Sequence, residues 1–400
     1  MNRLIILVTL VLIVAVSLRI TAQNGEREGQ RTFRFDTFGD EQLWTNKLQM
    51  HKAVASISPA TALSVGLKVD AEALPASVVS SIKAGTAANL LNDPAVTLQL
   101  LAANAVVGVV GRVNNGALES IGITCALCHS TVDDSVTTGV GRRLDGWANR
   151  SLNVGAIIAL SPALTSTQKA VFTGPKWGPG KYDPRLQAFN GMDFIELNRS
   201  TEPVVIPPIY GLRQVRFETF TADGSISYWN NYVAVTQMGG HGNFSDPRIG
   251  VMITQPPPDL VTPKLPELLD YQLSLQAPDP PRGTFNVVAA QRGRQLFNGA
   301  AGCDTCHRPP AFTDVLRNPD NDVPVTHAPS ETGMNAVYAS RTATKEYRTS
   351  PLRGLWQHPP YFHDGSAVDL MAVVNHYDRV RKLGLSAEQK ADLVEYLRSL

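Results

Sequence analysis

The chain has 400 residues, 43% hydrophobic and 18% charged, which is enough apolar content for a folded core and room for two or three domains. Its 36 Lys and Arg nearly cancel its 35 Asp and Glu, for a formal charge of +1. That balance argues against a nucleic-acid binder working by phosphate neutralisation and gives no clue to a partner by steering. Four cysteines are too few for a disulfide scaffold.

Met1-Asn2-Arg3 precedes an apolar run from Leu4 to Leu18. A short basic start and a run of about 15 apolar residues, short for a membrane span, read as a secretory signal. Residues 1–22 are therefore taken as a signal peptide cleaved after Ala22, with an uncleaved membrane anchor as the alternative. Either way the protein is expected in the periplasm, where thiols normally oxidise to disulfides. Residues 23–110 read as an N-terminal helical extension, in which Trp44, Leu48, His51 and Ala55 share a face at helical spacing. His51 reads as a packed or surface histidine.

Cys125-Ala126-Leu127-Cys128-His129 is the first of two CxxCH motifs; the other is Cys303-Asp304-Thr305-Cys306-His307. Thiols three positions apart reach the two vinyl groups on one porphyrin edge, and the adjacent imidazole meets the iron. Chance would supply roughly 0.0006 such matches in a chain of this composition. Here there are two, and they use every cysteine. Redox CxxC pairs or half a zinc site would leave both histidines and the export signal unexplained. Two covalently bound c-type haems follow, with Cys125, Cys128, Cys303 and Cys306 as attachment points and His129 and His307 as proximal ligands.

Two haem sites predict two similar modules, and the sequence repeats itself. Leu268 to Leu275 matches Leu393 to Leu400 as L-[LV]-[DE]-Y-x-x-S-L. Pro208 to Gln214 and Pro351 to Gln357 share P-x-x-G-L-x-Q, each followed by Asp-Gly-Ser, at Asp223 and Asp364. The first module is placed at 111–281, with a Gly/Pro-rich insertion around Trp177-Gly178-Pro179-Gly180. Pro278-Asp279-Pro280-Pro281 is a linker that helix cannot cross. The second module covers 282–400. Val287 to Phe297 reads as its first helix, with Gly293 allowing close helix contact and Phe297 facing the porphyrin. Ser386 with Gln389 is a capping box, and Ala391, Val394, Leu397 and Leu400 form the apolar face of a closing helix. The expected fold class is mainly α: two cytochrome-c-type haem domains with long loops, plus the helical extension.

Pro360-Tyr361-Phe362-His363-Asp364-Gly365 following Pro351-Leu352-Arg353-Gly354 resembles the di-haem bacterial cytochrome c peroxidases, whose superfamily includes the MauG-type enzymes and the haem-dependent rubber oxygenases. The resemblance covers roughly residues 110–400. The long N-terminal segment resembles instead the larger cytochromes of that superfamily. The resemblance implies that the second haem transfers electrons and takes its sixth ligand from the helix after the Asp-Gly-Ser turn. Peroxidases carry a Met twelve residues beyond the glycine; here that position is Tyr377, and MauG-type members use tyrosine there. His376 is the second choice, and Met371 and Met334 are thioether alternatives. The first haem would be the reactive one. A Glu that the peroxidases place nearby is replaced by Asn230 and Asn231, and Asn cannot cycle a proton at neutral pH. Glu218 or His241 are substitute bases, and His241 or Met238 could instead close that iron. Tyr210, aligned with the peroxidases' bridging Trp, and Trp229 are the inter-haem bridge candidates. The family also implies calcium between the domains, for which the sequence names no ligands.

The sequence thus points to an exported di-haem redox enzyme using peroxide or dioxygen. Its electron partner is expected to be a small cytochrome, a cupredoxin or a quinol-linked donor, and no nucleic acid. The alternative is an electron carrier with both haems six-coordinate, and a third reading is a haem-based sensor.

Overall fold

The computed structural model describes residues 23–186, 201–316 and 323–400. The signal reading falls on residues 1–22, outside them. No described helix is long and apolar enough to cross a membrane. The described residues are 42% helical and 12% strand. Its strands form six two-stranded ribbons among the described residues, none large enough to be a core by itself. Helices therefore carry the packing.

Helix α1 covers residues 23–35; α2 is Ile226–Thr236, α3 Leu265–Ser274, α4 Val287–Phe297, α5 Leu370–Arg381 and α6 Ala387–Arg398. The α4 bounds are those read from the sequence, and the Ser386–Gln389 capping box of α6 is formed. One core cluster joins Phe33, Ala126, Trp229, Tyr232, Leu268 and Tyr271 around the first motif. A second joins Phe297, Leu370, Val374, Leu393, Tyr396 and Leu397 beside the second motif. A third, built on Trp44, Leu48, Met50, Leu101 and Leu127, packs the segment after α1 against the first motif's turn.

The sequence repeats correspond to repeated structure. Gly211 and Gly354 both adopt left-handed φ, 65° and 60°, and each opens a one-turn 3-10 helix. The Gly211 N–H donates to Leu275 O at 2.9 Å, and the Gly354 N–H to Leu400 O at 2.8 Å. In both copies the P-x-x-G turn is therefore tied to the end of its L-[LV]-[DE]-Y helix. The Asp-Gly-Ser echo diverges: Ser225 caps α2 directly, whereas Gly365 takes φ 73° and Asp369 caps α5.

A further repeat relates α1 to α4. A Cβ on Gly293 would lie 2.0 Å from Asp392 O and 2.9 Å from the Tyr396 Cβ, so α4 and α6 meet backbone to backbone there. A Cβ on Gly29 would lie 1.9 Å from Glu267 O and 2.7 Å from the Tyr271 Cβ. Glu267 and Tyr271 occupy in α3 the places of Asp392 and Tyr396 in α6. Four residues beyond each glycine, Phe33 lies 5.5 Å from the Tyr271 ring and Phe297 lies 5.2 Å from the Tyr396 ring. Residues 23–35, read from the sequence as extension, thus pack on α3 as α4 packs on α6. Residues 36–108 lie between that helix and the first motif.

Two sequence readings change. Gln49 is left-handed at φ 52°, so Trp44 and His51 sit on separate helical segments, Gln42–Lys47 and Met50–Val54. In α6, Val394 and Leu397 are buried and Leu400 packs on the same core as read, but Ala391 is exposed and Asp392, Leu393 and Tyr396 join the buried face. The close approach at Gly293 turns that face inward.

Candidate haem-binding sites

An Asn115-Gly116 hairpin, Val109–Asn114 with Ala117–Ile123, delivers the chain to Cys125. The motif is a single turn in which the His129 N–H donates to Cys125 O at 3.2 Å. The second motif repeats it, with the His307 N–H on Cys303 O at 2.9 Å. Such a turn sets the two thiols and the imidazole on one side of the backbone. Each ring is oriented by a backbone carbonyl: His129 Nδ1 lies 3.1 Å from Pro207 O, and His307 Nδ1 3.0 Å from Phe312 O. An Nδ1–H donated to a carbonyl fixes the tautomer and leaves Nε2 with its lone pair, as an iron ligand requires. Burial pushes His129 down to about 4 and lowers His307, so both rings are neutral at pH 7.

Burial raises Cys125 and Cys128 to about 12 and Cys303 to about 11. A redox CxxC works with a lowered thiol, so these three suit thioether formation better than disulfide exchange. Cys306 is lowered, chiefly by a hydrogen bond with His327. Cys306, Asp314 and His327 gather within 4.8 Å, the one such group of three or more donors among the described residues. It includes a thiol and no oxygen-rich shell, so it suits calcium poorly.

A cavity of about 580 Å³ opens beside the second motif, lined by Cys303, Cys306, His307, Phe297, Val374 and Leu397 among others. Its size and apolar walls are those of a cofactor pocket. Residues that can hold a haem are therefore present: two thiols, an oriented neutral imidazole and a hydrophobic cavity. Tyr377 and Met334 line the cavity. Tyr377 is held at about 12 by burial and by the neighbouring thiols. His376 is not in the lining; its Nε2 lies 2.8 Å from Thr332 O and its Nδ1 3.3 Å from Arg379. The α5 helix thus turns Tyr377 toward the second motif and His376 away.

The first-site candidates scatter. Trp229 and Met238 share the core cluster with Ala126. Asn230 exchanges two hydrogen bonds with Gln272, at 2.7 and 3.0 Å. Asn231 donates to Asn243 O at 3.2 Å. His241 Nε2 lies 2.7 Å from Pro256 O. Glu218 pairs with Arg348 at 3.0 Å, and Arg348 and the adjoining Thr219 line the second cavity, so this carboxylate borders the second site. Burial raises it.

Between the motifs lies a segment that sequence reasoning only half found. Pro207 accepts from His129 and also lines the second cavity, as do Pro208 and Tyr210. The Tyr210 hydroxyl donates to Gly354 O at 3.3 Å and accepts from Gln357. Trp147 and Trp356 meet edge to face, centroids 5.7 Å apart, across the same boundary. Trp356 fills a variable position of the P-x-x-G-L-x-Q repeat and Trp147 lies in no motif, so nothing short of the fold pairs them.

No family model matches the chain. It is 32% identical over 151 residues to the cytochrome-c peroxidase IdrP1 of Pseudomonas sp. (strain SCT), covering 28% of this chain and 40% of that protein. It is also 32% identical over 127 residues to the methylamine utilization protein MauG of Methylorubrum extorquens, covering 28% and 34%. The chain thus spans less than half the length of the curated relatives it matches. A solved MauG-like protein associated with microbial copper homeostasis aligns over 54% of this chain and 79% of its own, at 18% identity and a TM-score of 0.37, too loose a likeness to carry weight. Over about 28% of its length the chain is thus similar to cytochrome-c peroxidases and to MauG, the relatives that the paired CxxCH turns and repeated closing helices also point to.

Proposed function

We propose that the protein is an exported di-haem c-type redox enzyme. In this reading His129 holds the haem that meets a small oxidant, peroxide or dioxygen, and His307 holds the haem that passes electrons to it. The haems supply the redox chemistry; the chain orients them, excludes water and connects them. The observation that carries the reading is the Pro207 carbonyl, bonded to the His129 ring while Pro207 itself walls the His307 cavity. One residue thereby touches both sites, which a pair of independent carriers would not need. Tyr377 would hold the second iron in this reading, being on α5, in the cavity and beside the thiols. A periplasmic donor, a small cytochrome or a cupredoxin, would supply the electrons.

The test is the optical and electron paramagnetic resonance spectrum of the oxidised, haem-loaded protein with and without cyanide, repeated after partial reduction. A high-spin signal that cyanide converts to low-spin, in either state, supports an open first iron. Two low-spin haems indifferent to cyanide in both states replace this reading with electron carriage alone.

A further inference from the structure

The second cavity has an unusual charge pattern. Arg150, Arg348, Arg353 and Arg381 line it, and among the described residues no Asp or Glu does. Three of these cations have partners: Arg348 pairs with Glu218 at 3.0 Å, Arg381 with Glu331 at 3.6 Å, and Arg353 donates to Pro310 O. Arg150 differs. Its Nε and Nη1 are buried without a hydrogen-bond partner, and so is Nδ1 of His358, which also lines the cavity. Burial lowers the Arg150 guanidinium to about 10, opposed by the Tyr210 and Tyr361 hydroxyls. Leaving a buried cation unpaired is costly, so such a group calls for an anion.

Arg150 comes from the other module. Its neighbour Asn149 donates its backbone N–H to Cys128 O at 2.9 Å, and the Asn149 side chain reaches Gly66 O at 3.0 Å. The guanidinium is thus carried on a turn fixed to the first motif and enters the cavity of the second. A c-type haem brings two carboxylates on its propionates into such a cavity, and a guanidinium grips a carboxylate with two parallel donors.

We propose that Arg150 of the first module binds a propionate of the second haem. The inference rests on the di-haem reading above. Loading the second haem then neutralises Arg150 and ties the modules together. The cation also favours the reduced iron, because it offsets the electron's charge. Arg150 is a positioning residue: it acts on the haem's edge and not on the reacting atoms.

The experiment is a redox titration of the full, haem-loaded chain as wild type, Arg150→Gln and Arg150→Lys, following each haem by its spectrum. In Arg150→Gln the reduction constant of the second haem should fall about tenfold, 59 mV for a one-electron couple. Arg150→Lys should recover most of that shift, and the first haem should move much less. An unchanged second-haem potential in Arg150→Gln overturns the proposal. So does a wild-type potential that tracks added phosphate while Arg150→Gln ignores it, because the guanidinium would then hold a free anion. Mass analysis of the wild-type peptide bearing Cys303 to His307 separates the two levels: no attached haem there sinks the di-haem reading itself.

Discussion

The clearest quantitative test of the repeated architecture is a pair of alanine substitutions, Gly29→Ala and Gly293→Ala. In an exposed helix interior, Gly to Ala stabilises by about 1 kcal/mol. Here each new methyl would sit 1.9–2.0 Å from a carbonyl oxygen of the facing helix, Glu267 O or Asp392 O, where contact normally begins near 3.4 Å. The obstacle is backbone, so no side chain can swing aside. The helices must part by more than 1 Å, opening the cluster around Phe33 and Tyr271 or around Phe297 and Tyr396. Overpacking of this kind typically costs 1–3 kcal/mol, and separating a packed helix pair puts it at the upper end. Set against the propensity gain, the expected net loss is about 2 kcal/mol for each variant, a fall in Tm of roughly 4–8 °C. Gly174→Ala is the control, because its Cβ would meet nothing nearer than 3.8 Å, and it should stay within about 0.5 kcal/mol. Denaturant unfolding of the full chain measures all three. A Gly29→Ala variant as stable as wild type would refute the placement of α1 as the first module's counterpart of α4.

Tyr377→Phe should alter the spectrum of the second haem and leave the first unchanged; an unaltered second spectrum removes Tyr377 as ligand. Asp70→Ala strands Arg143, whose charged end is buried 3.0 Å from that carboxylate, and should cost about 3–5 kcal/mol in urea unfolding. A loss below 1 kcal/mol would show that solvent reaches the Arg143 site. The haem-free chain should lose stability in acid, because burial holds His129 and His358 at about 4 against 6.5 when unfolded. A depressed folded value means the unfolded chain takes the proton first. The stabilisation is therefore complete above pH 6.5 and lost as pH falls toward 4, by roughly 3 kcal/mol for each ring. A flat profile over that window would contradict the burial of both rings.

What the sequence made legible was local chemistry. Both CxxCH motifs, the bounds of α4, the Ser386 cap and the repeat ending at Leu275 and Leu400 are short-range patterns whose meaning survives without a fold. The Gly29 and Phe33 pair was equally short, a G-x-x-x-F matching Gly293 and Phe297, but the 36–108 segment separates it from its motif. Contact between Trp147 and Trp356, the reach of Arg150 and the double role of Pro207 depend on loops converging from distant parts of the chain, and no local pattern encodes that. The two asparagines at 230 and 231 sit where the peroxidases' carboxylate was sought, but their side chains bond Gln272 and Asn243.

Glu218 draws these strands into one decisive prediction. General acid–base help is worth about 10²–10⁴ in rate, so a reactive first site needs a proton carrier or does without one. The buried carboxylate that the sequence offered for that task pairs with Arg348 at the wall of the second cavity, and burial raises its affinity for a proton. In Glu218→Gln the charge opposing Arg348 disappears. With chemistry at the first haem, peroxide turnover should stay within about twofold, and the second haem's potential should rise because Arg348 is no longer neutralised. A hundredfold loss of turnover without a change in that potential would mean that protons are handled at the second cavity. The reactive and electron-transferring roles of the two haems would then have to be exchanged.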